Sequence, residues 1–143
     1  MGRMFQLVLL AGLAREARAQ THTVWDPATA TWNGEGGGLK SSIVAGDPDK
    51  PGYYSVAYHL APGSWIPPHL HPRAKQITVL SGSLRMGFGA ILDSAKTRNV
   101  GAGRVMVMPP ETVHFEGASV ATVVLFSGEG PLVTRWVGKT AKP

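Results

Sequence analysis

Three histidines in two separate stretches of this 143-residue sequence are the residues whose type and spacing suggest chemistry. His69 and His71 are two residues apart, and residues i and i+2 of an extended strand point to the same face. His114 follows an alternating apolar stretch and a Pro-Pro turn. Two histidines alone would indicate a surface turn. Three neutral imidazoles from two strands predict a site for one divalent metal ion, because imidazole suits several transition metals.

The elements that must position these histidines are short strands marked by alternation and turn residues. Residues 53–60 alternate apolar and more polar side chains, and residues 77–79 form a β-branched run closed by Ser81 and Gly82. Eight or nine such strands are expected after residue 19, with no convincing helix. This pattern predicts an all-β, single-domain fold, an antiparallel double-sheet jelly roll.

The spacing of these residues resembles the two sequence motifs of the cupin superfamily. The first motif is a Gly, five residues, His-x-His, three or four residues, a Glu, six residues and a Gly. The second is a Gly, five residues, Pro-x-Gly, two residues and a His. The resemblance covers about residues 50–130 and implies a cupin barrel that holds one metal ion. The matching residues are Gly63, His69, His71, Gly82, Gly103, Pro109 and His114.

The sequence departs from the first motif at the acidic residue, where the chain has Lys75 followed by Gln76. A lysine must lose a proton, near pH 10.4 for the free side chain, before it can bind a metal. A glutamine amide oxygen is available at every pH. We therefore expect His69, His71, Gln76 and His114 as the metal ligands. The opposite register stays open, because it turns Lys75 and the apolar Ile77 inward.

A set of three histidines and one amide carries no negative charge, which favours copper. Copper stands highest in the affinity order of first-row divalent metals, and imidazole suits it. Manganese and iron would be favoured by a carboxylate ligand, and zinc also accepts tetrahedral nitrogen sites. Copper is therefore the expected cofactor, with manganese, iron and zinc as alternatives.

Residues 1–19 have the features of a secretory signal peptide. Arg3 lies before an apolar run that is too short to span a bilayer, and an Ala-x-Ala site at 17–19 predicts cleavage before Gln20. The expected location is secreted or periplasmic, with no membrane contact after cleavage. Loss of residues 1–19, which contain three arginines and one glutamate, lowers the formal net charge from +5 to +3. No run of basic residues suggests nucleic-acid binding, and the absence of cysteine excludes disulfides and thiol catalysis.

The remaining chain is divided into an N-terminal arm with a Gly-rich loop (20–48) and a cupin domain (49–143). The stretch 34–38 contains four glycines and predicts a flexible loop. Trp25 and Trp32 in the arm are expected to pack onto the barrel or a partner subunit rather than to bind sugars.

The chain is similar to small exported single-domain cupins, and most closely to the copper-dependent cupins that cleave cellulose oxidatively. This resemblance implies a polysaccharide substrate, an external electron donor, and peroxide or dioxygen as oxidant. It also implies a homodimer. Trp65 lies four residues before His69 and is the expected sugar-stacking residue at the mouth of the site. Two alternatives remain: a manganese, iron or zinc dioxygenase or decarboxylase of a small acid, and a non-enzymatic cupin that binds metal or ligand.

Overall fold

The computed structural model describes residues 22–137, so the expected signal peptide at 1–19 lies outside the described residues. The described part contains eleven strands and one short 3₁₀ turn at Ser94–Lys96. No helical segment in this part of the chain has the length and hydrophobicity needed to cross a bilayer. The strands are β1 (Asn33–Gly36), β2 (Leu39–Ala45), β3 (Gly52–Leu60), β4 (Trp65–Leu70), β5 (Lys75–Ser81), β6 (Ser83–Phe88), β7 (Arg98–Gly101), β8 (Val105–Met108), β9 (His114–Ala118), β10 (Thr122–Gly130) and β11 (Arg135–Trp136).

The strands form two antiparallel sheets. One sheet has the order β1-β2-β3-β10-β5-β8, and the other has the order β11-β4-β9-β6-β7. Consecutive strands therefore often lie apart in the sheets, as expected for a jelly roll. The predicted all-β, single-domain, double-sheet fold is confirmed.

The core lies between the sheets and receives side chains from both. Leu60, Ile77 and Val124 of the six-stranded sheet meet Leu84 and Met86 of the five-stranded sheet, and all five are almost completely buried. Burying each such side chain contributes about 1.5–3 kcal/mol. This apolar layer fixes the two sheets face to face, and so it fixes the inward side chains at the neighbouring end of the barrel.

The hairpin between β5 and β6 depends on Gly82. Its φ of 75° lies in the left-handed region, and a Cβ at this residue would lie 2.4 Å from the Ala121 carbonyl oxygen. Glycine meets both constraints because it has no Cβ. The turn predicted at residues 81–82 is therefore present, and it sets where β5 ends.

The N-terminal region differs from the expectation. Residues 33–36 form β1, which pairs with β2, and β2 pairs in turn with β3. The prediction of a flexible loop over 34–38 is wrong for residues 34–36, which belong to β1 because backbone pairing needs no side chain. Glycines 36–38 supply the positive φ values that the hairpin turn requires. The sheet thus begins at residue 33, and the expected domain boundary at residue 49 divides it.

The two tryptophans before β1 pack against this sheet. Trp25 Nε1 donates a hydrogen bond to Ser42 Oγ at 3.1 Å, and the Trp25 and Trp32 rings lie 5.8 Å apart edge to face. Trp32 also contacts the ring of His59 on β3, at 6.0 Å between centroids. The arm tryptophans therefore pack onto the barrel surface, as expected.

Candidate metal centre

The three predicted histidines meet because β4 and β9 are neighbours in the five-stranded sheet. His69 lies near the end of β4, His71 follows that strand, and His114 begins β9 directly opposite His69. One ring nitrogen from each histidine lies within 4.8 Å of the other two. All three side chains are buried, with exposed fractions of 2%, 6% and 0%.

Hydrogen bonds to backbone carbonyls orient each imidazole. The Nδ1 atoms of His69, His71 and His114 lie 2.7–2.8 Å from the carbonyl oxygens of Pro67, Val133 and Thr112 respectively. A carbonyl oxygen can only accept, so each Nδ1 carries the proton and each Nε2 presents a lone pair. This is the usual outer hydrogen bond of a metal-binding histidine.

The environment also keeps two of the imidazoles, those of His71 and His114, neutral. Burial, supported by the nearby Lys75 ammonium, lowers the pKa of His71 to about 3. Burial lowers the pKa of His114 to about 4, although the Glu116 carboxylate opposes the shift. Both rings are therefore neutral near pH 7, which is the form that binds a metal.

The expected fourth ligand is wrong, because β5 has the opposite register. Gln76 is exposed, and its Nε2 donates to Thr78 Oγ1 at 3.4 Å. Lys75 points inward together with Ile77 and Val79, and it is only 2% exposed. A one-residue shift along a strand moves every side chain to the other face of the sheet. The residue beside the histidines is thus a lysine.

Lys75 is held between His71 and an aromatic ring. Its Nζ donates to His71 Nε2 at 2.8 Å and lies 4.0 Å from the centre of the Phe126 ring. Burial lowers the pKa of Lys75 to about 8, partly offset by the negative charge of Glu116. At neutral pH this lysine is therefore a buried cation that hydrogen-bonds to a nitrogen of the candidate metal site.

Glu116 is a buried residue of the site that the sequence analysis did not assign to it. It lies on β9 with no exposed surface, and its Oε2 is 3.5 Å from His114 Nε2 and 3.8 Å from His69 Nε2. Burial raises the pKa of this carboxyl, but the nearby Lys75 and histidines more than offset it, so the pKa lies below its usual value. The missed signal is the spacing: Glu116 is two residues after His114 in a strand, as His71 is two after His69.

The residues present fit a metal ion. Among the described residues, four buried side-chain polar atoms have no hydrogen-bond partner, and three of them are His114 Nε2 and the two Glu116 carboxylate oxygens. Unpaired buried polar atoms are rare in native proteins and call for an unseen partner. Two ligands that are each about 2.1 Å from one ion lie roughly 3–4 Å apart, as these atoms do. A bound metal would supply Lewis acidity or electron transfer there.

A cavity of about 260 Å³ reaches His69 and His71 from outside. Its wall includes Tyr58, Trp65, Phe126 and Trp136 together with His69, His71 and Glu116, and the β1–β2 turn lies at its edge. Trp65 is half-buried and lines this cavity, so its position agrees with the expectation, while its contact with a substrate stays a prediction. The described lining contains no lysine or arginine.

Trp136 was not singled out from the sequence. It is 40% exposed, and its ring lies 5.3 Å from that of His69 because β11 pairs with β4. A two-residue strand gives no periodic pattern, so only the sheet pairing reveals this neighbour.

Plant proteins are among the curated relatives that share part of their sequence with this chain. Germin-like protein subfamily 2 member 2 from Arabidopsis thaliana is 35% identical over 96 residues, covering 60% of this chain and 44% of the relative. Oxalate oxidase GF-3.8 from Triticum aestivum is 40% identical over 81 residues, covering 51% of this chain and 36% of the relative. This chain thus spans less than half the length of either relative.

Solved structures share the fold. An RmlC-like cupin from Shewanella frigidimarina has a TM-score of 0.61 at 15% identity, covering 77% of this chain and 92% of that chain. An oxalate oxidase structure has a TM-score of 0.60 at 24% identity, covering 85% and 66%. At these identities the likeness shows the fold alone.

A family model described as Cupin matches residues 49–131, which is more than half of the sequence. The matched region contains β4, β5 and β9, and with them His69, His71, Lys75, His114 and Glu116. The chain therefore belongs to the cupin family.

Proposed function

We propose that this protein is a metal-dependent cupin oxidoreductase that uses one metal ion, held by His69, His71 and His114, to oxidise a small organic molecule with dioxygen as the electron acceptor. The observation that carries this proposal is the set of three buried imidazoles, each fixed through Nδ1 so that Nε2 faces its neighbours. The similarity to an oxalate oxidase and to germin-like proteins supports oxidation rather than metal storage.

The size and lining of the cavity suit a small, uncharged substrate. Its volume of about 260 Å³ is slightly below the range of typical ligand pockets, and aromatic side chains form much of its wall. A di-anion would need a cationic partner in addition to the metal, and the described lining offers none. The nearby Lys75 is already hydrogen-bonded to His71. An alcohol or a phenol therefore fits the lining better than a dicarboxylate.

A copper-dependent oxidation of polysaccharide, with cellulose as substrate and an external electron donor, is the second candidate. The observation in its favour is Trp136, which is partly exposed and lies beside His69, where an aromatic ring could stack on a sugar. The preference for copper is reduced, because it was based on a neutral ligand set that included Gln76, and Gln76 faces solvent. This candidate therefore ranks below the small-molecule oxidase.

Competitive metal loading followed by two assays separates these candidates. The purified protein receives equimolar manganese, iron, copper and zinc, and the retained metal is measured. Oxygen consumption is then recorded with a panel of alcohols, phenols and small acids, and soluble products are recorded from insoluble cellulose with ascorbate and peroxide. We expect one metal per chain, oxidation of a small substrate, and loss of both in His114→Ala. Retention of copper with cleavage of cellulose alone would favour the second candidate.

Export and homodimer formation stay predictions of the sequence. Amino-terminal sequencing of the exported protein should give Gln20 as its first residue, because of the Ala-x-Ala site at 17–19. Sedimentation equilibrium should give twice the monomer mass if the chain forms a dimer.

A further inference from the structure

We propose that Glu116 is the fourth protein ligand of the metal, and that Lys75 stands in the strand position from which cupins usually supply the acid. The carboxylate thus comes from β9 instead of β5. This inference rests on the proposed metal site, since it assigns a further ligand to the same ion.

The Glu116 side chain is isolated from both solvent and hydrogen-bond partners. Its exposed fraction is 0%, and neither carboxylate oxygen has a hydrogen-bond partner. A buried carboxylate without partners is strongly disfavoured, because it has lost water and gained nothing in exchange. Nearby charges alone do not satisfy its lone pairs, whereas a metal ion would.

Glu116 also lies close to two of the candidate histidine ligands. Its Oε2 lies within 4 Å of the Nε2 atoms of both His69 and His114. Each of these Nε2 atoms presents a lone pair, because Nδ1 of the same ring carries the proton and donates it to a backbone carbonyl oxygen. One ion between these three atoms would satisfy each of them.

On β5, the first cupin motif requires six residues between the acid and Gly82, which places the acid at residue 75. This residue is Lys75, and it is buried. The inward position that should carry an acid therefore carries a base, and the acid is found across the barrel on the neighbouring sheet. The two opposite charges partly offset each other, since Glu116 raises the pKa of Lys75 and Lys75 lowers the pKa of Glu116.

The assignment changes the expected metal. Three imidazoles and one carboxylate form a ligand set with a negative charge and a hard oxygen, which suits manganese or iron better than an all-neutral set does. Glu116 should therefore matter most for Mn²⁺, and least for Cu²⁺, which imidazoles bind well by themselves.

The test is titration of the metal-free protein with Mn²⁺ and with Cu²⁺, followed by electron paramagnetic resonance. Loss of an outer hydrogen-bond partner usually lowers metal affinity about 10–100-fold. For Glu116→Gln, which keeps the size of the side chain, we expect Mn²⁺ affinity to fall by about 100-fold or more and Cu²⁺ affinity to fall less. Glu129→Gln, the same change at an exposed residue of β10, should leave both affinities unchanged.

The double variant Lys75→Glu/Glu116→Gln returns the acid to β5 and should recover most of the Mn²⁺ affinity. Unchanged Mn²⁺ binding in Glu116→Gln would overturn the inference. If His114→Ala abolishes metal binding while Glu116→Gln does not, the assignment of Glu116 as a ligand is wrong but the metal site remains. If neither the wild type nor any variant binds a metal, the proposed function is wrong as well.

A measurement on the unaltered protein covers the case in which Glu116→Gln does not fold. Infrared difference spectra recorded on addition of Zn²⁺ should show a shift in the stretching bands of one carboxylate. The absence of any carboxylate change at full Zn²⁺ occupancy would count against Glu116 as a ligand.

Discussion

At the residue scale, one simple pattern places every candidate ligand. His69 and His71 are two residues apart at the end of β4, and His114 and Glu116 are two residues apart in β9. Because side chains alternate along extended backbone, each pair turns both side chains inward. The pairing of His69 with His114 then brings the two pairs together.

Substitution of Lys75 should have opposite effects on metal binding and on the stability of the metal-free protein. In Lys75→Met, His71 Nε2 no longer accepts from Nζ and a nearby positive charge is lost, so Mn²⁺ should bind more tightly, by about tenfold or less. Glu116 would lose its counter-charge, so the metal-free protein should unfold at lower urea concentration. Both quantities are measured by Mn²⁺ titration and urea unfolding.

Gln76→Met is the matched control for this change, because Gln76 is the exposed neighbour on β5. It should alter neither metal affinity nor the unfolding midpoint appreciably. Weaker Mn²⁺ binding in Lys75→Met would show that Lys75 assists the metal instead of competing with it.

Acidification should destabilise the metal-free protein. The folded-state pKa values are about 3 for His71 and about 4 for His114, below the ordinary value of 6.5. Between pH 6.5 and these lower values, the unfolded chain therefore binds more protons than the folded chain. Stability therefore falls as the pH decreases from about 6.5 towards 4. Urea unfolding at several pH values in the presence of a chelator measures this slope.

The slope should be smaller in His114→Asn, which removes one of the two shifted groups. A metal-free protein whose unfolding free energy stays constant between pH 7 and pH 5 would contradict this explanation.

At the scale of the elements, the close approach of β6 and β9 holds the end of the site in place. A Cβ on Gly87 of β6 would lie 2.2 Å from Cζ of the buried Phe115, which stands between His114 and Glu116 in β9. The Phe115 ring can lie over residue 87 only because that residue has no side chain.

Gly87→Ala should therefore destabilise the fold by about 1–3 kcal/mol, the usual cost of overpacking, and should weaken metal binding by shifting β9. Gly101→Ala in β7 is the control, since a Cβ there meets no atom within 4 Å. Urea unfolding of both variants measures the difference. Equal stability of the two variants would mean that Phe115 moves aside freely.

Alternation and turn residues predict most strands, and the alternating stretch 53–60 lies in β3 (Gly52–Leu60). They do not determine the register of β5, because Lys75 and Gln76 are both polar and the adjacent run 77–79 is apolar or β-branched at every position. Glu116 was not assigned to the site, although β9 begins at His114 and continues through Glu116. The two-residue spacing places both side chains on one face, but only once the start of β9 is known.

At the scale of the whole molecule, the candidate ligands and their counter-charge come from different sheets. The histidines and Glu116 belong to, or directly follow, β4 and β9 of the five-stranded sheet, whereas Lys75 approaches from the six-stranded sheet. Elsewhere the two sheets contact each other through the apolar core. A metal ion would thus connect the neighbouring strands β4 and β9 of one sheet, whereas the hydrogen bond from Lys75 to His71 connects the two sheets.

Metal binding should stabilise the fold as a whole, because the ligands come together only when β4 and β9 are paired. An ion that binds the folded chain alone adds RT ln(1 + [L]/Kd) to the free energy of unfolding, about 2.7 kcal/mol when the ion is present at 100 times its Kd. Thermal unfolding at increasing Mn²⁺ concentration should show a midpoint that rises with the logarithm of that concentration. The midpoint of His114→Ala should not respond, and a wild-type midpoint that does not respond to Mn²⁺, Cu²⁺ or Zn²⁺ would exclude a metal site in this protein.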